Sequence, residues 1–223
     1  MNILIFDMDG VLLQPIGYHR ALKETVRQAG LSLGIGDVIL TDEQIAHFEA
    51  LGISSEWHSS ALCMAYLVLN VQRQTAEKPS LDSEFNLEPL FNELGAQPTS
   101  AAPLQRCLAA VESLAAKTDT DHRQTREIIL QAENIHLSQT LKWFQEMILG
   151  SARYARVYDR KPVFDTTSYL KKYDLPKLSG RNAKNLLKWV IDPLNGAVIM
   201  TNRPSLGPSE FLKGALDAQL GAN

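Results

Sequence analysis

The chain has 223 residues, of which 45% are hydrophobic and 21% are charged, and its formal net charge is −3 at pH 7. This length is enough for one sizeable core or for two smaller domains, and the composition is typical of a soluble globular protein. A pI near 6.0 and the lack of any block of lysine and arginine exclude nucleic acid as the main partner, because binding to a phosphate backbone requires clustered positive charge.

The two cysteines and the apolar segments bear on the cellular compartment. Cys63 and Cys107 lie far apart in the apolar contexts ALCMAYL and LQRCLAAV, which predicts buried thiols rather than a disulfide framework or a thiolate metal site. No segment approaches the roughly 20 apolar residues of a membrane span, and the N-terminal apolar run stops at Asp7, too early for a signal peptide. The sequence therefore predicts a cytoplasmic protein that has no membrane partner.

The chain opens with MNILIFDMDGVLL, in which an apolar run at residues 3–6 leads directly to Asp7 and Asp9. The run has the composition of a buried parallel strand, and ligands bind at the carboxyl ends of such strands in open α/β sheets. Two carboxylates at this edge can act as nucleophile and general acid/base on one bound group. They also suit a hard cation such as Mg²⁺, which prefers oxygen ligands and retains waters.

A long helical region follows the opening strand. Apolar spacing predicts a helix from residue 18 to about residue 29 that ends at Gly30, and a second helix that begins at Thr41, where Gln44 completes a capping box. From there to about Gly150 nearly every periodic stretch predicts a helix. The clearest of these stretches are SSALCMAYLVLNVQRQ, PLQRCLAAVESLAAK, DHRQTREIILQAE and LSQTLKWFQEMIL.

The pattern returns to a strand near the end of the chain. GRNAKNLLKWV predicts one more helix, and AVIMTNRPS is a second apolar run that ends at Thr201 and Asn202. These two residues either bind a phosphoryl oxygen or form a side-chain turn that ends the strand. The residues between the two apolar runs far outnumber the dozen or so of a simple crossover. The simplest topology is therefore a strand, an inserted helical domain, and a return to a parallel sheet.

IFDMDGVLL resembles the first motif of the haloacid dehalogenase superfamily, an apolar strand followed by Asp-x-Asp-Gly and then Val or Thr. VIMTNRPS resembles the second motif of that family, an apolar strand that ends in Thr or Ser. The resemblance implies an α/β fold with a Rossmann-like parallel-sheet core, incomplete here, formed by residues 1–14 and 190–223. A large inserted all-helical cap domain would then span residues 15–189.

The resemblance also implies a role for each motif residue. Asp7 would attack phosphorus to form an aspartyl-phosphate, and Asp9 would protonate the leaving oxygen and then activate water. Mg²⁺ would be held by the carboxylate of Asp7 and the backbone carbonyl of Asp9, while Thr201 and Asn202 would bind the phosphoryl group. Asp9 favours phosphoryl transfer over C–Cl hydrolysis, because the dehalogenases carry a tyrosine at that position. The expected activity is a Mg²⁺-dependent phosphatase of small phosphorylated metabolites, with a phosphomutase as the alternative within this class.

Two polar segments of the predicted cap are candidates for substrate selection. GISSEWHSS contains Glu56, Trp57 and His58, and YDRKP contains Arg160 and Lys161. One interpretation is that these residues face the substrate across the domain cleft. The alternative interpretation of each segment is a helix start or a solvated loop.

The sequence departs from the family pattern after Thr201. The family has a third motif, a lysine or arginine, and a fourth, an acidic pair on a later strand, and both normally follow the second motif. The 22 residues after Thr201 contain Glu210, Lys213 and Asp217 in the pattern of one amphipathic helix, so Lys213 is either a solvated helix residue or a displaced third motif. The alternative function is therefore a truncated or degenerate, non-catalytic member that acts as a binding or interaction module. A sheet with only two motif strands also predicts self-association or the use of a partner strand.

Overall fold

The computed structural model describes residues 2–73, 85–178 and 180–200. Within these ranges the protein is a mixed α/β protein that is mostly helical and contains a small parallel sheet of two strands. None of the helices described is both long and apolar enough to cross a membrane. The sequence-based predictions that lie outside the described residues concern Thr201, Asn202, Glu210, Lys213 and Asp217.

Four strands and ten helices are described in these ranges. The strands are β1 (Asn2–Asp7), β2 (Leu13–Gln14), β3 (Leu175–Pro176) and β4 (Asn195–Met200). The helices are α1 (Ile16–Ser32), α2 (Asp42–Ala50), α3 (Glu56–Arg73), α4 (Glu88–Gly95), α5 (Pro103–Lys117), α6 (Arg123–Leu130), α7 (Gln139–Leu149), α8 (Ser151–Tyr158), α9 (Tyr169–Tyr173) and α10 (Gly180–Ile191).

The two apolar runs of the sequence are parallel neighbours. β1 pairs with β4 in a register that sets Asn2 opposite Asn195 and Asp7 opposite Met200. This pairing confirms the predicted return of the chain to a parallel sheet. A second pair, β2 and β3, is antiparallel, with Leu13 opposite Pro176.

β1 differs from the sequence-based expectation in its burial. The apolar composition predicts a buried strand, yet Ile3 and Ile5 are 52% and 64% exposed. A strand in a parallel sheet is buried only where layers cover both of its faces. Among the described elements α10 packs against β4, but α10 itself contributes no buried residue.

The described chain divides into two compact units. One comprises residues 2–18 together with the described residues from 146 onward, and the other comprises residues 19–145. This division differs from the predicted boundaries, because residues 146–189 cluster with β1 rather than with the helices of residues 19–145. The reason lies in contacts such as that of Asp174, whose Oδ1 accepts a hydrogen bond from the Gly17 N–H at 2.7 Å. Compact units describe packing, so the insertion of residues 15–189 as one cap stays a prediction.

Local sequence signals account for much of the structure of residues 19–145, which we call the helical unit. The capping box at the start of α2 is confirmed: the Gln44 N–H donates to Thr41 Oγ1 at 3.2 Å, and the Thr41 N–H donates to Gln44 Oε1 at 3.0 Å. The predicted end of α1 at Gly30 is wrong, because the helix continues to Ser32. Gly30 instead permits a close approach of the chain, since a Cβ there would lie 2.7 Å from the carbonyl oxygen of Gly36.

Both cysteines are free and buried, which confirms the interpretation of Cys63 and Cys107 as core thiols. Burial raises the pKa of the Cys107 thiol to about 12, and it also raises the pKa of Cys63. Neither thiol forms an appreciable amount of thiolate at neutral pH, so neither has the reactivity of a nucleophilic cysteine.

Candidate active site

The carboxyl end of β1 carries the first predicted site residue. Asp7 is the last residue of the strand, and its side chain is exposed. In the parallel register it lies opposite Met200, the last residue of β4 and the one that precedes Thr201 in the sequence. The pairing therefore brings the first aspartate of the first motif next to Met200, the last described residue of the second motif.

A tight turn follows β1 and holds Asp9. We call residues 8–13 the Asp9 turn. The carbonyl of the buried Met8 accepts hydrogen bonds from the N–H groups of Leu12 and Leu13, both at 2.9 Å, and the Gly10 N–H donates to the Leu13 carbonyl at 2.8 Å. Asp9 itself is half-buried and forms an isolated β-bridge with Leu13. These bonds bend the chain directly after Asp7, so the two carboxylates belong to different local structures, a strand end and a turn.

Gly10 is the residue whose backbone makes the turn possible. Its φ is +75°, in the left-handed region that residues with a Cβ rarely adopt. No heavy atom lies within 4 Å of the position that a Cβ would occupy. The glycine is therefore required by its backbone conformation and not by a lack of space.

A lysine that the sequence analysis missed contacts the same turn. Lys177 follows β3, and its backbone N–H donates to the Leu12 carbonyl at 2.8 Å. Its Nζ donates to the Gly10 carbonyl at 2.7 Å. No local pattern identifies this residue, because only the antiparallel pairing of β2 with β3 brings it to the turn.

The first group of candidate selectivity residues lies in the helical unit. Glu56, Trp57 and His58 form the first turn of α3. His58 is buried, its Nε2 lies 2.8 Å from Oε1 of Glu133, and its Nδ1 has no hydrogen-bond partner. Trp57 makes an edge contact with the His58 ring. These residues begin a helix and include one buried imidazole paired with a carboxylate.

The second group lies in the unit that contains β1. Arg160 and Lys161 follow α8, directly after Asp159, whose φ of 49° ends that helix in a left-handed conformation. The carboxylate of Glu146 anchors the segment just downstream, at Val163 and Phe164. Together, the predicted selectivity residues are distributed over both compact units.

Glu146 is a buried acid that the sequence analysis did not single out. Its Oε1 accepts hydrogen bonds from Ser151 Oγ at 2.8 Å and from the Phe164 N–H at 2.7 Å, and its Oε2 accepts one from the Val163 N–H at 2.8 Å. Burial of a carboxylate is tolerated when such donors satisfy it. The signal in the sequence is an acid on an otherwise apolar helical face, in WFQEMIL. Its role is to hold the segment that includes Arg160 and Lys161.

The possible metal ligands at the end of β1 are oxygen atoms of Asp7 and Asp9. The described residues contain no group of three or more His, Cys, Asp or Glu side chains able to hold an ion. Mg²⁺, however, keeps several waters and is commonly bound through one or two carboxylates together with substrate oxygens. The carboxylate of Asp7 and the oxygens of Asp9 therefore fit Mg²⁺ by their chemistry, although they would not suit a metal that requires a complete cage of protein ligands.

Comparisons with known proteins bear on the fold. No protein-family model matches the chain, and the comparison with curated proteins returns no match. Among solved structures the chain is similar to an X-ray structure of a Northeast Structural Genomics Consortium target, with a TM-score of 0.63 over 98% of this chain and 67% of that one. The sequence identity is 18%, so the likeness concerns the fold alone.

Proposed function

We propose that this protein is a hydrolase of the haloacid dehalogenase type, a Mg²⁺-dependent phosphatase of small phosphorylated metabolites. The observation that carries the proposal is the register of β1 and β4, with Asp7 opposite Met200. It sets Asp7, the first residue of the Asp-x-Asp-Gly motif, beside the strand end after which Thr201 and Asn202 follow in the sequence. Ligands of open α/β sheets bind at this carboxyl edge.

The proposal includes the architecture that the motifs imply. The pair β1 and β4 would be part of a Rossmann-like core, and the helices between them would form the cap that selects the substrate. The parallel pairing and the predominance of helices support this assignment. Glu56, Trp57, His58, Arg160 and Lys161 remain the proposed selectivity residues.

The proposed chemistry uses one carboxylate for each of two tasks. The exposed Asp7 attacks phosphorus and displaces the alcohol, so that an aspartyl-phosphate forms as the ester P–O bond breaks. Asp9 donates a proton to the leaving oxygen and then removes a proton from the water that hydrolyses the aspartyl-phosphate. Two carboxylates can divide the work in this way because they occupy different surroundings, an exposed strand end for Asp7 and a half-buried turn for Asp9.

Mg²⁺ would be held by the Asp7 carboxylate and the Asp9 backbone carbonyl, and when bound it would offset the negative charge of the phosphate and the nucleophile. The chain's own part is to orient Asp7 at the strand end and to hold Asp9 in the turn. The hydrogen bonds of Met8, Gly10 and Leu13 supply that orientation.

The test is hydrolysis of p-nitrophenyl phosphate by this chain in the presence of Mg²⁺ or of EDTA. We expect turnover with Mg²⁺, loss of turnover in EDTA, and loss in the variant Asp7→Asn, because an amide is not a nucleophile for phosphorus. Asp165→Asn, which alters an exposed aspartate away from the motif, is the matched control and should retain activity. Unchanged turnover in Asp7→Asn would contradict the proposal.

The same assay distinguishes the proposed phosphatase from the non-catalytic alternative. If wild-type protein shown to be folded by circular dichroism gives no Mg²⁺-dependent turnover, the binding or interaction module becomes the preferred function. Mg²⁺-dependent hydrolysis by this chain would remove that alternative.

A further inference from the structure

We infer that Lys177 is a further residue of this site: it positions the Asp9 turn through the Gly10 carbonyl and adds a positive charge that favours a bound phosphate. The inference rests on the proposed function, because it assigns a residue to the same phosphate site. The observation that carries it is the 2.7 Å hydrogen bond from Lys177 Nζ to the carbonyl of Gly10, the residue after Asp9.

The position of Lys177 is set by hydrogen bonds of its segment to the turn itself and to the chain just after the turn. Its own N–H donates to the Leu12 carbonyl at 2.8 Å, which extends the antiparallel pairing of β2 and β3 by one residue. Upstream, Asp174 accepts a hydrogen bond from the Gly17 N–H at 2.7 Å. The segment that carries the lysine is therefore attached both to the turn and to the chain that follows it, and these two attachments place the ammonium group beside the turn.

Gly17 shows how close this attachment is. A Cβ at this position would lie 2.7 Å from the Tyr169 carbonyl oxygen and 2.9 Å from Asp174 Oδ1. A glycine is thus needed for the segment after α8 to approach the start of α1. This close approach of the two segments brings Lys177 to the turn.

Electrostatics supply a reason for a cation at this turn. Asp7, Asp9 and a phosphate ester would gather several negative charges at one strand end, and like charges oppose one another's binding. A lysine held on the Gly10 carbonyl lowers that cost, because its positive charge attracts the phosphate. Lys177 is exposed, so its ammonium can also turn from the carbonyl to a phosphate oxygen when a ligand is present.

The first measurement is the affinity of the protein for inorganic phosphate in Mg²⁺ buffer, by isothermal titration calorimetry. Lys177→Gln keeps a hydrogen-bond donor without charge, Lys177→Arg keeps the charge, and Lys184→Gln on α10 is the control for loss of an exposed lysine. We expect Lys177→Gln to weaken phosphate binding by about tenfold, the size of one lost charge-assisted hydrogen bond. Lys177→Arg should restore most of the affinity, and Lys184→Gln should bind as wild type does.

The salt dependence of phosphate binding distinguishes an effect of the Lys177 charge from a purely structural role of this residue. If Lys177 acts by charge, the difference in phosphate affinity between wild type and Lys177→Gln shrinks as NaCl is raised toward about 1 M, where the screening length is about 3 Å. If the lysine only holds the turn, the difference is independent of salt, and the inference is overturned. Equal phosphate affinities of Lys177→Gln and Lys184→Gln overturn it too, as does a wild-type protein that binds no phosphate.

The kinetic readout distinguishes this inference from the proposed function. With p-nitrophenyl phosphate, Lys177→Gln should raise KM by about tenfold and lower kcat less, because the lost charge acts on binding of the dianion. A wild-type protein that binds phosphate through Lys177 but hydrolyses no ester supports the inference and contradicts the proposed hydrolysis. A protein that hydrolyses the ester with the same KM in Lys177→Gln and wild type contradicts the inference and leaves the proposed function standing.

Discussion

At the scale of single residues, the candidate site depends on the backbone conformation and the hydrogen bonds of Gly10. Gly10 adopts a left-handed conformation between Asp9 and the rest of the turn. Its carbonyl accepts from Lys177 while its N–H donates to Leu13. One glycine thus connects Leu13 on β2 with Lys177, the residue that follows β3.

Replacement of Gly10 by alanine should destabilise the protein by about 1 kcal/mol, because a residue with a Cβ pays that cost in the left-handed region even where space is free. Gly180→Ala is the control, since a Cβ there also meets no heavy atom within 4 Å and Gly180 shows no positive φ. Urea unfolding of both variants gives the comparison. Equal stability of Gly10→Ala and Gly180→Ala would argue against the strained turn.

A second residue-scale prediction concerns pH. The Glu93 carboxylate accepts hydrogen bonds from Lys117 Nζ and Ser113 Oγ, and the bond from Lys117 is the main reason that the pKa of Glu93 lies below its usual value. A carboxyl whose pKa is lower in the folded state stabilises the protein above its unfolded pKa, about 4.3, and that contribution is lost as the pH falls through the folded value.

Lys117→Met should therefore lower the melting temperature at pH 7, and this effect should shrink as the pH falls through the folded pKa of Glu93, because a protonated carboxyl no longer pairs with the lysine. Thermal unfolding followed by circular dichroism at pH 7 and at a series of lower pH values checks this. Lys142→Met, which removes another lysine from the same unit, serves as the control. A decrease in the melting temperature of Lys117→Met that does not shrink as the pH is lowered would show that Glu93 is not the source.

At the scale of elements, one buried side chain holds a whole segment in place. Glu146 on α7 accepts hydrogen bonds from Ser151, Val163 and Phe164, so it joins two helices to the chain that follows Arg160 and Lys161. The candidate residues Arg160 and Lys161 are therefore positioned by an acid that lies more than ten residues before them. A helix can thus determine the geometry of a loop through one carboxylate.

Glu146→Gln should destabilise the protein by about 2 to 3 kcal/mol, because the amide replaces an accepting oxygen with a donor that faces donors of the segment. Urea unfolding measures the change. Glu112→Gln, in which an exposed carboxylate paired with Arg126 is lost, should cost less than about 1 kcal/mol. If the two variants lost the same small amount of stability, the three hydrogen bonds would not anchor the segment.

At the scale of the whole molecule, the described part of the chain presents apolar side chains to solvent near the small sheet. Ile5 is 64% exposed on β1, Met200 is 61% exposed on β4, and Ile191 is 71% exposed on α10. Exposed apolar surface of this kind favours association. The edge strands of a two-stranded sheet also have backbone groups able to pair with another strand.

We therefore expect this 223-residue chain to self-associate, and light scattering over a range of concentrations checks it. A double substitution on α10, Leu187→Lys with Ile191→Lys, should shift the equilibrium toward the monomer, because both side chains are exposed and apolar. Arg181→Lys on the same helix, which preserves charge, is the control. A monomer at every concentration in wild type would contradict the prediction.

Several features were accessible from the sequence because they depend on neighbours a few positions away. The capping box of Thr41 and Gln44 and the apolar setting of Cys63 and Cys107 belong to this group. The helix end at Gly30 was misjudged for the same reason: a glycine commonly follows a helix, but here it serves a packing contact with residues 36–38 that lie outside the local pattern.

The sequence by itself determined that β1 and β4 are strands and that most of the chain from residue 18 to about residue 150 is helical, as well as the parallel relation of its two apolar runs and the position of Asp7 at a strand end. Tertiary structure alone decided the register of Asp7 with Met200, the pairing of Leu13 with Pro176, and the contact of Lys177 with Gly10 across 167 residues of chain. The physical reason is that periodicity and capping act over one or two turns. The partners of a strand edge or a charged side chain, by contrast, depend on which distant segments the packed fold brings together.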